Sequence, residues 1–133
     1  MVVCRLRSGW VVFGDSQFFA GYSLLLPDPV VPSLNEMDGA TRAIFLEEMV
    51  MIGDAVLRCT DAYRINYEIL GNAEPALHAH IFPRYMSEPD ERRRAPIWQY
   101  DKALRESVKF DPQRDTPLMD KLRREIRALG PNR

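Results

Sequence analysis

The chain has two histidines, His78 and His80, and both lie in one short apolar segment, Leu77-His78-Ala79-His80-Ile81-Phe82-Pro83-Arg84. Alternate residues of a β-strand face the same way, so on a strand the two imidazoles stand side by side while Leu77, Ala79 and Ile81 face the other side. An imidazole is near-neutral at neutral pH. It can therefore attack phosphorus or carbon, or bind a metal, with little tuning. The pair is a candidate reaction centre.

Positioning two side chains this way needs a sheet, and the pattern supplies one. Trp10-Val11-Val12-Phe13 and Tyr22-Ser23-Leu24-Leu25-Leu26 are β-rich runs, separated by Gly14-Asp15-Ser16 and closed by Pro27-Asp28-Pro29, which predicts two antiparallel strands. From Asp38 to about Cys59, Phe45, Met49, Ile52 and Val56 recur at helical spacing beside Leu46, Val50 and Leu57, with Glu47, Glu48, Asp54 and Arg58 elsewhere. One long helix is expected over one face of the sheet. Asp38 is its expected N-cap, and Gly53 marks a point of close packing.

Tyr63–Leu70 alternates well enough for a third strand, and Gly71-Asn72-Ala73-Glu74-Pro75 turns the chain into the histidine strand, in the middle of the sheet. Ser87–Arg94 is a charged, irregular stretch expected to be a surface loop. Asp115-Thr116-Pro117 is expected to cap a final helix, with Leu118, Leu122, Ile126 and Leu129 as its apolar stripe and Gly130-Pro131 as its end.

With 133 residues, 46% of them hydrophobic, the chain suits a single domain over 1–133, with a core about 10–98 and a helical extension about 99–130. Eighteen basic against nineteen acidic residues give a net charge of −1. That balance lacks the footprint of a protein gripping extended nucleic acid and leaves a small anionic ligand open. Cys4 and Cys59 make neither a metal pair nor a disulfide framework, and the longest apolar stretches are broken by Gly, Asp or Pro. A soluble protein of the reducing cytoplasm, with no membrane partner, is expected.

The segment Gly71-Asn72-Ala73-Glu74-Pro75-Ala76-Leu77-His78-Ala79-His80-Ile81-Phe82-Pro83-Arg84 resembles the signature of the histidine triad superfamily. That signature is His-x-His-x-His followed by two apolar residues. The likeness extends to its bacterial dinucleoside-polyphosphate-hydrolase-like branch, where Gly-Asn precedes the motif and Pro-Arg follows it. Gly21-Tyr22-Ser23-Leu24-Leu25-Leu26-Pro27 resembles the family's strand leading into the helix, and Pro96-Ile97-Trp98 is a weaker echo. The first triad histidine is Ala76 here.

The resemblance implies an α+β fold: an antiparallel sheet of about five strands, a long helix on one face and a C-terminal helical extension, assembled as a homodimer whose sheets join edge to edge. It implies a nucleotide hydrolase or nucleotidyl transferase acting at the α-phosphate of dinucleoside polyphosphates or nucleoside phosphoramidates, with no cofactor and no metal. His78 matches the nucleophile that forms a nucleotidyl-histidine. His80 matches the residue that hydrogen-bonds phosphate oxygens or the departing group. Asn72 matches a donor to the α-phosphate, and Asp15 a ribose-binding position, within a residue of register. At the nucleophile, the ring nitrogen not used in attack is expected to donate to the carbonyl of residue 76, which Ala76 retains.

Other roles stand beside these. Asn72 also suits a left-handed turn, and Asp15 a hairpin. Arg92, Arg93 and Arg94 suit a polyphosphate or a solvated face, and Arg84 a carboxylate partner. Trp98 suits base stacking, a dimer interface or core burial. A cupin-type metal site also uses His-x-His, but it needs further Glu and His ligands, and there is no third histidine. The missing triad imidazole keeps open a non-catalytic, nucleotide-binding or regulatory protein.

Overall fold

A computed structural model describes residues 1–130; Pro131, half of the expected helix stop, lies outside them. The chain forms five strands, β1 (Val2–Arg5), β2 (Gly9–Phe13), β3 (Ser23–Pro27), β4 (Arg64–Glu68) and β5 (Ala79–Arg84), in one antiparallel sheet of order β1-β2-β3-β5-β4. This is the expected α+β architecture. β1 was not expected, because four residues of mixed polarity at an edge carry no readable period. It is held by pairing to β2 and by Arg123, whose guanidinium donates to the Val3 carbonyl at 2.6 Å.

Helix α1 (Gly39–Cys59) covers one face, and Asp38 caps it by accepting from the Thr41 N–H at 2.9 Å. It buries Phe45, Ile52, Ala55 and Val56 and leaves Leu46, Val50 and Leu57 exposed, so only one of the two apolar rows seen in the sequence is core. Each large side chain buried stabilises the packing by about 1.5–3 kcal/mol. A Cβ added at Gly53 would fall 2.0 Å from the Tyr67 hydroxyl, which is the expected close approach. Glu48, expected on the polar side, is instead fully buried. Its carboxylate accepts the N–H groups of Ser8 at 2.8 Å and Arg7 at 3.0 Å, so a helix carboxylate pins the β1–β2 turn.

The segment after β5 is more ordered than a loop. It contains two single-turn helices, α2 (Asp90–Arg93) and α3 (Lys102–Arg105). In α2 acidic residues open the turn and basic residues close it, as the helix dipole favours. Helix α4 (Pro112–Leu129) then packs against α1 and β1. It starts earlier than expected. Asp111 is the cap, accepting from the Gln113 N–H at 3.0 Å, and Asp115 reaches back from inside the first turn to the Asp111 N–H at 2.9 Å, a reciprocal arrangement like a capping box. The apolar core draws on residues outside the 10–98 span, from Val3 to Ile126. A second, smaller core lies on the opposite sheet face, where Phe19, Phe82, Ile97 and Tyr100 pack together.

Candidate functional site

The alternation along the motif holds in space: Leu77, Ala79 and Ile81 are buried towards the core, and His78 and His80 are both half-buried. Their ring centroids lie 4.8 Å apart with planes at 79°. β5 begins at Ala79, so His78 stands just ahead of the strand instead of on it. Sequence alternation runs one residue past the last ladder pair, Leu25 with Ala79. That position frees the His78 backbone from the ladder while its ring stays beside His80.

His78 Nδ1 lies 2.7 Å from the Ala76 carbonyl oxygen. A carbonyl only accepts, so Nδ1 carries the proton and donates, and the Nε2 lone pair is left free. That is the expected contact, made by the backbone of Ala76. His80 is held differently. Its Nδ1 is 2.6 Å from the Tyr22 hydroxyl, and its ring stacks with that of Phe82 at 5.5 Å. Burial, reinforced by the neighbouring His78, lowers its pKa to about 4, so the ring is neutral at neutral pH.

Tyr22 is the residue the sequence reading missed. It enters immediately before β3, and its ring stacks on Phe82 with centroids 4.1 Å apart and planes within 10°. Gly14 makes room for it, since a Cβ there would lie 2.1 Å from the Tyr22 ring. Tyr22, Leu24 and Leu26 alternate along one sheet face, but their sharing it with His80 depends on the β3–β5 register, which no local pattern gives. Glu68 was missed for the same reason. It pairs with His80 across the β4–β5 ladder, and one of its carboxylate oxygens is buried without a hydrogen-bond partner among the described residues.

A cavity of about 410 Å³ opens on this face, lined by Val12, Asp15, Tyr22, Leu24, Phe82 and Trp98 among others, with Arg105 and Glu106 at its side. The structure thus brings Asp15, exposed on its turn, to the same cavity as the tyrosine that holds His80. His78 lines a separate cleft of about 150 Å³ with Leu34, Asn35 and Gly71. Asn72 is exposed in the loop before His78 and lines neither. Trp98 is 44% exposed, which rules out core burial. Its ring meets His80 and Phe82 edge-on, each at 6.2 Å, and the Arg105 guanidinium sits 5.0 Å above it.

Arg84 has the carboxylate partner the sequence allowed. It is buried and ion-paired to Glu88 at 2.9 Å. Arg92 donates to the Gln99 carbonyl and Arg93 to Asp90, so both tie their own segment together, while Arg94 is exposed. Among the described residues no three His, Cys, Asp or Glu side chains gather into a metal-binding group, and no helix is long and apolar enough to cross a membrane.

No family model matches the sequence, and no curated protein does. Solved structures do match. A histidine triad protein from Bradyrhizobium japonicum superposes with a TM-score of 0.81 at 22% identity, over 95% of this chain and 90% of that one. One from Marinobacter aquaeolei gives 0.81 at 18%, over 98% and 90%. A hypothetical histidine triad nucleotide-binding protein from Sulfolobus tokodaii gives 0.73 at 18%, over 96% and 84%. The chain has the fold of the histidine triad proteins.

Proposed function

We propose that the protein is a nucleotide hydrolase or nucleotidyl transferase of the histidine triad superfamily, close to its dinucleoside-polyphosphate-hydrolase-like branch, with Ala76 in place of the first triad histidine. It acts at the α-phosphate of a dinucleoside polyphosphate or nucleoside phosphoramidate. The observation that carries this reading is the 2.7 Å contact from His78 Nδ1 to the Ala76 carbonyl, which orients the ring and leaves Nε2 as a nucleophile. In the first step the Nε2 lone pair forms a bond to the α-phosphorus as the bond to the leaving group breaks, and the leaving group departs with that electron pair. The ring becomes cationic, and the Ala76 carbonyl, still accepting from Nδ1–H, stabilises it. In the second step water attacks phosphorus, the P–N bond breaks and its electrons return to His78, with one water proton released.

His80 faces the same site as a neutral ring suited to hydrogen-bonding phosphate oxygens. The apolar cavity beside it, with Asp15 at its rim, fits a base and ribose, and Trp98 offers an aromatic surface at its mouth. Asn72 lies on an exposed turn close in sequence to His78, and its proposed role as a phosphate donor needs that turn to fold over the substrate. A homodimer joined through the sheet edge is supported by β4, whose outer edge no strand pairs among the described residues and beside which Tyr63 and Tyr67 are exposed.

A panel of dinucleoside polyphosphates and adenosine phosphoramidates, assayed with wild type and His78→Ala, tests the reading. Turnover by wild type and none by the variant supports it. Brief mixing with labelled substrate and an alkaline quench should trap base-stable, acid-labile label on the protein. Binding of mononucleotides without turnover by wild type would favour the second reading, a non-catalytic nucleotide-binding protein, for which the absence of an imidazole at Ala76 is the motive.

A further inference from the structure

The two histidines are held by partners of opposite kind. His78 Nδ1 meets a carbonyl, which can only accept, and His80 Nδ1 meets the hydroxyl of Tyr22 at 2.6 Å. Tyr22 is half-buried, and among the described residues His80 Nδ1 is the one partner of its hydroxyl, so that nitrogen is the acceptor the protein offers the hydroxyl proton. Tyr22 therefore donates, Nδ1 of His80 is the bare nitrogen, and its proton sits on Nε2. We propose that Tyr22 is a positioning residue that fixes His80 as the Nε2–H tautomer, opposite to His78, so that the pair presents one lone pair and one hydrogen-bond donor to a bound phosphate.

Three features make this arrangement rigid. The Tyr22 ring stacks on Phe82, which itself stacks on His80, so the three rings lie nearly parallel, at 10°, 12° and 20° to one another. On its other side it rests against Gly14, where any Cβ would displace it. The phenol also stays protonated: burial, with the nearby Asp15 and Glu68, pushes its pKa well above the ordinary tyrosine range. A tyrosinate would have to accept from His80 and so reverse the tautomer. The chemical consequence is a division of labour. If both rings carried Nδ1–H, two lone pairs would face the phosphate oxygens, and one of them would repel the substrate. With Tyr22 donating, the second ring becomes an oxyanion-type donor that does not have to change protonation state. The role of Tyr22 in turnover rests on the proposed function, whereas its effect on His80 does not.

Since the chain has two histidines, two-bond ¹H–¹⁵N spectra of the imidazoles at neutral pH contain two spin systems. In wild type one ring should show the Nδ1–H pattern and the other the Nε2–H pattern. Tyr22→Phe keeps the stacked ring and removes the hydroxyl; the Nε2–H pattern should then collapse towards exchange while the other ring is unchanged. In turnover assays the same variant should lose about 10- to 100-fold in kcat with KM changed little, and its acid limb should move to higher pH as His80 becomes easier to protonate. Two Nδ1–H patterns in wild type, or an Nε2–H pattern unaltered in Tyr22→Phe, would overturn the assignment. Because the wild-type spectrum needs neither a variant nor a substrate, failure of the tautomer assignment is separate from failure of the nucleotide reading, which would appear as no turnover by wild type with both patterns in place.

Discussion

At one end of β5, His78 and His80 each engage a single partner through one ring nitrogen. At the other end, six residues on, Arg84 uses all five of its N–H donors, two on Glu88 and one each on Asn66, the Ala95 carbonyl and the Arg92 carbonyl. A side chain with every donor engaged inside the protein has nothing left to offer a ligand. A ring with one nitrogen engaged is both oriented and available. In sequence the two ends read as one motif, but the structure divides it into a half with ring nitrogens left open and a half that builds the wall. The wall matters to the site, because the carbonyls Arg84 grips belong to the segment that carries Trp98 back over His80 and Phe82.

The largest effect expected at the histidine end, on the proposed function, follows from His78→Ala. With the only oriented lone pair removed, turnover should fall by about three orders of magnitude or more. Thermal denaturation should be little altered, since the ring is half-buried and makes one bond. A folded His78→Ala protein with near-normal rates would place the nucleophile elsewhere and erase the distinction between the two ends.

Arg84→Ala should do the reverse. It strands a nearly buried Glu88 carboxylate, whose side chain is 8% exposed, and takes away the donor held by the Asn66 side chain and the Ala95 carbonyl. Breaking such a pair costs about 3–5 kcal/mol, read as a lowered urea midpoint. Burial pushes the Glu88 carboxyl up, but the hydrogen bonds from Arg84, the Tyr85 N–H and Tyr100 outweigh it and keep its pKa below the ordinary value. Arg84→Lys should recover little, because one ammonium cannot span acceptors on both sides of a planar fork. A loss below about 1 kcal/mol in Arg84→Ala would mean that the wall is held by something else.

These two ends also show what a sequence can and cannot disclose. The sheet, the long helix with its Asp38 cap and the paired histidines were legible because each rests on local period or a cap residue, whereas the carbonyl that orients His78 was expected only from the resemblance of the motif. Tyr22 and Glu68 were not, because their meeting with His80 depends on which strands become neighbours and in what register. Glu48 was misplaced because its polarity argues for solvent, and only the β1–β2 turn supplies the N–H groups that let it be buried. The Ser87–Arg94 stretch looked solvated for a related reason. Its order comes from Arg84, which lies outside it.

A smaller effect concerns pH. An ordinary histidine titrates at 6.5, and His80 is lowered to about 4 by burial and then by His78. As pH falls through about 6.5 the unfolded chain takes up a proton that the folded chain refuses until about 4. This contribution to stability is therefore complete above the unfolded value and is lost progressively between the two. For a half-buried ring, screened in part by solvent, it amounts to about 1–2 kcal/mol. Urea unfolding at neutral pH and near the lower limit of that window should show a steeper loss in wild type than in His80→Gln. Equal slopes would mean that the ring titrates as freely as in an unfolded chain.

The smallest effect is expected at Ala76, two residues before His78. The bond that orients His78 comes from the backbone carbonyl of this residue, and every side chain placed at 76 leaves that carbonyl in the chain. Ala76 is half-buried in the turn that leads to His78, with its N–H directed at Glu74 at 3.4 Å, so a larger ring has some room to turn outward. Ala76→His should then change kcat by less than about tenfold, with a melting temperature shifted by a few degrees at most. An overpacked variant would lose rate and stability together, and that joint loss separates steric damage from a change in chemistry. A stable Ala76→His protein that turns over more than tenfold faster would show that a side chain at this position contributes what its carbonyl does not. The orientation of His78 by backbone alone would then be insufficient.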